Sequence, residues 1–456
     1  MVVCMLPPDS TLPDSSQALL TDLYELTMLQ AYQELGFDRQ AVFSLFVRKL
    51  PQERNFLVSC GLDDVLGYLE GLRFSDQDIS YLDSLNLFKD SFLDWLKHFR
   101  FQGDVFAVPE GTPVFANEPI LEVKAPLPQA QLLESFIMNQ VHFQTMAASK
   151  AARVVHAAGD RAVVDFGLRR IHGSDAGLKA ARAFFAAGAS GTSNVLAGKR
   201  FGIPVNGTMA HSYVQAFEDE SEAFRSFASL YPGTILLIDT YDSFRAVDRI
   251  IELARRYGPD FSISGVRIDS SDLAELAGKV RSKLDSAGFT QVKIFASGSL
   301  DEYVVDRIVK QKAPVDGFGV GTKMGVSEDA PYLDMVYKLT AYGQKDKIKI
   351  SPGKETLPGQ KQVYRFKQNG LYTSDLISGF EESHAGEPLL HQVMQGGKRL
   401  AGRRDSLEQI RERALRGMEA LPEDIRRLDQ ASPAFPVHIS QDLAARQARL
   451  LQKLRA

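Results

Sequence analysis

The sequence is poor in cysteine, carries no large excess of either charge, and has no long apolar run. Cys4 and Cys60 are its two cysteines in 456 residues. Two thiols cannot staple a chain of this length, and no C-x-x-C pair offers zinc-ligand spacing. That usage suits a reducing compartment, so a cytoplasmic protein is expected. No run of about eighteen apolar residues occurs, so no membrane span is expected. The opening MVVCMLPPDSTLPDSSQ has a brief apolar start and then prolines and serines, without a basic leader or a long apolar stretch. It reads as a disordered tail over 1–17 and not as a signal peptide. Lys and Arg number 53 against 57 Asp and Glu, a net charge of −4. Nucleic acid is therefore not an expected partner, and a phosphate-bearing substrate needs donors placed locally.

What is present is an ordinary soluble composition, 44% apolar and 24% charged, in a chain longer than one core usually serves. Two domains, or a barrel with an attached domain, is the expectation. Leu20, Leu23, Tyr24, Met28, Ala31 and Leu35 recur at helical spacing, and Gly36 is a natural stop. QAVFSLFVRKL reads as a strand, GLDDVLGYLEGL and DSFLDWLKHF as helices. GDVFAVPEGTPVFANEPILEVKAP reads as a small sheet unit broken by Pro and Gly turns, and a long helical stretch runs from Leu132 to about Ala158.

The middle of the chain repeats one pattern. RAVVDFG, GTILLIDTYDS, ISGVRIDSSD, VKIFASGS and VDGFGVGTK are short apolar runs that end in Asp, Ser, Thr or Gly, and three of them lead into helical segments. Strands apolar throughout are buried on both faces, as in parallel sheets. Asp239 and Asp269 lie thirty positions apart, and Asp269 and Gly298 twenty-nine. Strand–helix units at that period predict a parallel α/β barrel or open sheet, with its working face at the carboxyl ends of the strands. Asp165, Asp239, Asp269, Ser297, Gly298, Gly321 and Thr322 then converge, and His211 follows the short run IPV into the same array. After Pro331 the pattern changes to antiparallel strands and then two helices, SLEQIRERALRGMEAL and SQDLAARQARLLQKLRA, that read as surface elements. The expected division is 18–130 for the first part of a mixed domain, 131–335 for the barrel and active site, and 336–456 for a return to the mixed domain.

Each feature has an ordinary alternative. ASGS and GFGVGT offer bare backbone N–H groups that suit phosphate oxygens, or are simply tight turns. Asp239 and Asp269 each close a strand, where a lone Asp most often caps the following helix; a pair at equivalent ends can instead hold a magnesium–diphosphate, ribose hydroxyls or a histidine. Arg267 shares a strand side with Asp269 and is either its structural partner or a contact for an anion. Phe166 with Arg169 and Arg170 suits a flat anionic ring, though a core Phe beside surface Arg is commoner. Of the eight histidines, His211 alone follows a strand in the Asp array, and no second His or Cys stands at metal spacing. Acid–base work, phosphate acceptance and core filling remain open for it. Lys293, a strand lysine that would serve a Schiff-base aldolase, lies at the wrong end of its strand.

Taken in order, LLTDLYELTM, DFGLRRIHG, GTSNVLAGKRFGIPVNGTMAHSYVQAF, LIDTYD, VRIDSSDL, ASGSLDE, GFGVGTKM and KETLPGQKQVYR resemble the nicotinate phosphoribosyltransferase family, from about Leu19 to the C-terminal helices. The resemblance implies an irregular parallel α/β barrel of the type II phosphoribosyltransferase kind, with a second mixed α+β domain built from both chain ends. It implies transfer of a phosphoribosyl group from phosphoribosyl diphosphate to nicotinate, giving nicotinate mononucleotide in NAD biosynthesis, coupled to ATP and served by Mg²⁺. His211 matches a histidine that ATP phosphorylates transiently, with Asp239 and Asp269 as its catalytic companions. Phe166, Arg169, Ser193, Thr208 and Arg267 match the nicotinate pocket, and Gly298, Gly319, Gly321 and Thr322 the phosphoribosyl cradle. Tyr24 matches an aromatic that closes the pyridine site from the partner subunit, so a homodimer is implied; metal ligands are not assigned. Relatives that use nicotinamide carry an acid where this chain has Ser193, which favours nicotinate here. The alternatives are a nicotinamide enzyme or a non-catalytic nucleotide-binding barrel.

Overall fold

A computed structural model of the chain describes residues 17–351 and 353–455. The expected tail lies outside the described residues except for Gln17, which begins a short 3-10 turn, Gln17–Leu19. The first helix follows at Leu23–Glu34, and Gly36 ends it at φ +67°, a left-handed backbone that glycine takes without strain.

The repeated strand–helix units build one six-stranded parallel sheet. Its order is Gly191–Thr192, Ala162–Asp165, Gly317–Val320, Lys293–Ser297, Ile263–Ile268 and Thr234–Leu237. Phe295 sits opposite Arg267 on one side and Gly317 on the other, which fixes the register at the centre. Helices Ser243–Tyr257, Leu273–Ser286 and Glu302–Lys310 cover the outer face. One isolated parallel bridge, Thr192 to Val205, extends the curl. Among the described residues no ladder joins Val205 to the Thr234–Leu237 strand, so the barrel is irregular. Across that side the Arg267 Nη2 donates to the Met209 carbonyl at 2.7 Å, and His211 bonds the Thr240 side chain.

The second domain is drawn from both chain ends. A seven-stranded antiparallel sheet runs Lys345–Asp346, Met335–Tyr342, Gln40–Val47, Pro119–Pro126, Asp104–Ala107, His391–Gln395 and Lys398–Arg399. The segment 103–126 is therefore not a small sheet of its own. Its two longer strands are central members of this larger sheet, and only Pro113–Val114 pairs apart, with Leu57–Val58.

A single 25-residue helix, Glu134–Ala158, serves both cores. Its Phe136, Ile137 and Val141 pack into the mixed domain, while Ala148, Ala151, Ala152 and Val154 pack against the barrel. Small alanines on the barrel side let the helix approach the sheet closely. The two C-terminal helices differ in kind. Gln441–Arg455 buries only Leu443 and is a surface element. Leu407–Ala420, expected at the surface, buries Ile410, Ala414 and Met418 in the barrel core, followed by Leu421, Ile425 and Phe435. Part of 336–456 thus returns to the barrel, because a helix whose inner face is apolar at helical spacing needs a partner surface.

Candidate active site

A cleft of about 610 Å³ opens at the carboxyl ends of the parallel strands. Phe166, Arg169, Ser193, Thr208, His211, Arg267, Asp269, Gly298, Gly319, Gly321 and Thr322 all line it. Residues scattered over more than 150 positions of sequence share one wall because every barrel strand ends at this rim.

The helix caps separate function from structure. Asp242, Asp272 and Asp301 accept the first backbone N–H groups of the three covering helices, for instance Asp242 from Phe244 and Arg245 at 2.9 Å. Each sits three positions after a strand end, at Asp239, Asp269 and Gly298. The capping duty is filled, so Asp239 and Asp269 have other work.

His211 is the first residue of a short helix, His211–Gln215. Its Nδ1 lies 3.0 Å from the Thr240 hydroxyl and its Nε2 4.0 Å from Asp269 Oδ2. The imidazole and that carboxylate are 41% and 37% exposed, open to the cleft. Asp269 is held from two sides. Ser297 donates its hydroxyl to Oδ1, and the Asp269 backbone N–H donates to Asp239 Oδ2 at 2.7 Å. Asp239 also accepts from the Ser270 hydroxyl at 2.8 Å, while its buried Oδ1 has no partner among the described residues. Asp239 does not line the cleft; it stands behind Asp269 and sets the turn.

The Arg267 guanidinium lies 5.8 Å from the centre of the Phe166 ring. Burial pulls its pKa below the ordinary arginine value, against the pull of Asp269 and Asp239, and its buried Nε finds no acceptor among the described residues. A planar cation with a spare donor beside an aromatic face suits a flat anionic ligand. Arg170 donates to the Thr322 hydroxyl at 3.0 Å and so fixes one glycine turn to the Phe166 loop.

Glycine is required at two positions here. A Cβ on Gly298 would stand 2.0 Å from the Asp269 carbonyl oxygen, and φ there is +89°. A Cβ on Gly319 would stand 2.4 Å from the Phe166 ring. The N–H groups of Gly298, Ser299 and Gly321 meet no protein acceptor among the described residues, which leaves them for oxygen atoms of a ligand. Asp165, by contrast, is structural. It is buried, burial raises its pKa, and it accepts from Thr192 at 2.7 Å and from the Gly167 N–H at 2.8 Å. Tyr24 stands outside this cleft, 46% exposed on the Leu23–Glu34 helix.

Sequence reasoning set Ser297 at the rim without its hold on Asp269, and passed over the other supports. Thr240 and Ser297 adjoin the strand-end motifs and orient His211 and Asp269. Lys323 reaches from one glycine turn to Asp301 of the other at 2.7 Å. Glu302, fully buried, receives Lys150 and also Arg153 at 2.8 Å; Lys150 and Arg54 in turn hold Asp329, at 2.7 and 2.6 Å. Buried charge is tolerated only when paired, and here the pairing spans both domains. Lysine and arginine within a long helix gave no signal of this, nor did the acid directly after ASGSLD, since burial and pairing leave no local mark.

Three family models match the chain: the nicotinate phosphoribosyltransferase N-terminal domain over residues 19–142, the nicotinate phosphoribosyltransferase family over 162–355, and its C-terminal domain over 383–447. The chain is 49% identical over 433 residues to a nicotinate phosphoribosyltransferase of Mycobacterium tuberculosis, covering 95% of this chain and 94% of that protein. It is 42% identical over 379 residues to the Bacillus subtilis nicotinate phosphoribosyltransferase, covering 81% and 77%. The crystal structure of human nicotinic acid phosphoribosyltransferase superposes with a TM-score of 0.85 at 28% identity, over 94% of this chain and 99% of that one.

Proposed function

Because the chain belongs to the nicotinate phosphoribosyltransferase family, we propose that it joins nicotinate to phosphoribosyl diphosphate, giving nicotinate mononucleotide and diphosphate, and that ATP is spent through a phosphohistidine at His211. One observation carries the histidine step: the imidazole is pinned at one nitrogen and open at the other. Nδ1 is paired with the Thr240 hydroxyl, and in the tautomer that carries its proton on Nδ1 the Nε2 lone pair faces the cleft beside Asp269. Nε2 attacks the terminal phosphorus of ATP, the bond to the bridging oxygen breaks, and ADP leaves. Asp269 favours the positive charge that develops on the ring, and the ring's orientation is fixed before reaction.

In the transfer step the pyridine nitrogen is the nucleophile. It bonds to the anomeric carbon as the carbon–oxygen bond to diphosphate breaks, and no side-chain nucleophile is needed. Phe166 offers the ring a face, while Arg267 and Arg169 meet its carboxylate. Ser193 lines the same cleft and is neutral, so it does not repel that carboxylate. The free N–H groups at Gly298, Ser299 and Gly321 suit the 5′-phosphate. The reading that Tyr24 closes the site of a second copy, in a homodimer, draws support from its exposure and its place outside its own chain's cleft.

Among the described residues no cluster of three His, Cys, Asp or Glu could hold a metal by itself. Mg²⁺ needs only one or two carboxylates when substrate phosphates complete its shell. Asp269, which faces the cleft, fits that demand, whereas Asp239 is buried behind it; a Mg²⁺ bound there would neutralise the leaving diphosphate.

The test is incubation with ATP labelled on its terminal phosphate. The wild type should carry an acid-labile, base-stable label that His211→Ala lacks, and nicotinate mononucleotide formation should rise with ATP. A label that persists in His211→Ala would remove the phosphohistidine and leave the transferase reading standing.

A further inference from the structure

A second cleft, of about 710 Å³, shares no residue with the first. It lies between the Lys361–Gln368 and Leu371–Gly379 hairpin, the strand His391–Gln395 and the helix Leu407–Ala420. The chain as a whole is net negative, yet Arg365, Lys367, Arg403, Arg413 and Arg416 line this cleft against only Glu387 and Asp405. We propose that it is a second ligand site, for a small phosphate-bearing anion.

The pairing of these charges decides which are available. Lys367 is taken by Glu387 at 2.7 Å and Arg413 by Asp405 at 2.8 Å, both partly exposed. Arg416 meets Glu412 only at 3.5 Å in open solvent, a pair of little strength. Arg403 has no ion-pair partner among the described residues. On the floor Arg365 is 2% exposed, gives Nε and Nη2 to Asp375 and lies 4.6 Å from the centre of the Tyr372 ring, and among the described residues its Nη1 finds no acceptor. Leaving a buried guanidinium donor unmet is costly, and it is ordinarily met by an anion or water. His391, half-buried in the wall, has its pKa pushed down by burial and by Arg403 and Arg413, against Glu387, which marks a positive potential at that point.

Guanidinium groups arrayed on two sides of an open cleft fit a multiply charged tetrahedral anion better than a single carboxylate. Leu389 and Val393 add an apolar wall, so the anion can be free diphosphate or the phosphate end of a nucleotide.

The measurement is proton NMR of the full-length protein, following the His391 imidazole signal, assigned with His391→Gln, during titration with inorganic diphosphate and separately with ADP. The expected result is a saturable shift of that signal in the wild type. In Arg403→Ala/Arg416→Ala, which removes two exposed side chains away from the first cleft, affinity should fall at least about tenfold while nicotinate mononucleotide formation is unchanged. Tighter binding of ADP than diphosphate would assign a nucleotide, and equal binding the free anion; both support the site. No shift of the His391 signal with either probe, or the same affinity in the double variant, would overturn it. Activity is not the readout of binding, so failure here leaves the transferase reading untouched.

Discussion

The backbone N–H of Asp269 donates to the carboxylate of Asp239 at 2.7 Å, across thirty positions of sequence. Two neighbouring strand ends are thereby locked, and the Asp269 side chain is presented to His211. Asp239→Ala should lower kcat by roughly ten- to a hundredfold, the worth of one charge-assisted hydrogen bond, with a smaller loss in Asp239→Asn. Steady-state kinetics check this; a kcat equal to wild type would show that the turn holds itself.

Gly298→Ala should nearly abolish activity and lower Tm, because the new Cβ meets the Asp269 carbonyl at 2.0 Å and φ is +89°. Gly278, in the middle of the Leu273–Ser286 helix, is the control, since a methyl added there would meet nothing within 4 Å. Gly278→Ala should keep activity and gain about 1 kcal/mol. Thermal denaturation of both variants separates a packing requirement from general intolerance.

Lys323→Met should raise the KM for phosphoribosyl diphosphate about tenfold with a lesser change in kcat. It cuts the 2.7 Å tie to Asp301 that holds two glycine turns at a fixed separation. Lys323→Arg should recover most of the loss. Equal effects on KM for nicotinate and for phosphoribosyl diphosphate would point to a general structural role instead.

Ser193→Asp should raise the KM for nicotinate about tenfold or more, since a carboxylate in the cleft repels the substrate carboxylate. Parallel assays with nicotinate and nicotinamide measure it. Unchanged nicotinate kinetics would refute the place given to Ser193.

Glu25 supplies a pH prediction. Burial raises its pKa from the usual carboxylate range to about 7, against the hydrogen bond that Gln131 donates to Oε2 at 2.9 Å. The folded state therefore holds the proton more tightly than the unfolded chain does. Its contribution to stability is full below the unfolded pKa, near 4.3, and is lost as pH rises through about 7. Tm should fall between pH 5 and 8, and Glu25→Gln should flatten that slope. A wild-type Tm that rises over the same interval would contradict the assignment.

The parallel strands were legible because apolar runs buried on both faces leave an unmistakable pattern, and their polar ends marked the rim. Asp269, Ser297, Gly298, Gly321, Thr322 and His211 could be placed on one face for that reason, whereas Phe166 and Arg267 were given to the pocket only by the family resemblance. The pairing of Pro119–Pro126 with Gln40–Val47 was not legible, nor that of the latter with Met335–Tyr342, since backbone ladders between distant segments carry no local mark. The helix Leu407–Ala420 looked like a surface element because six of its fourteen residues are charged, and its apolar stripe gives no clue to what covers it.

By itself the sequence determined the strand–helix period, the polar strand ends and the histidine motif, because side-chain polarity and glycine geometry act within a few residues. The division of labour among the acids came only with the tertiary structure. Asp242 and Asp272 cap helices, Asp239 steadies a turn and Asp269 faces the cleft, and the same side chain does any of these according to which groups lie within about 3 Å of it. For the two caps those groups lie two or three residues along the chain, but for Asp239 and Asp269 the distance is set by the pairing of neighbouring strands, which no short stretch of chain contains.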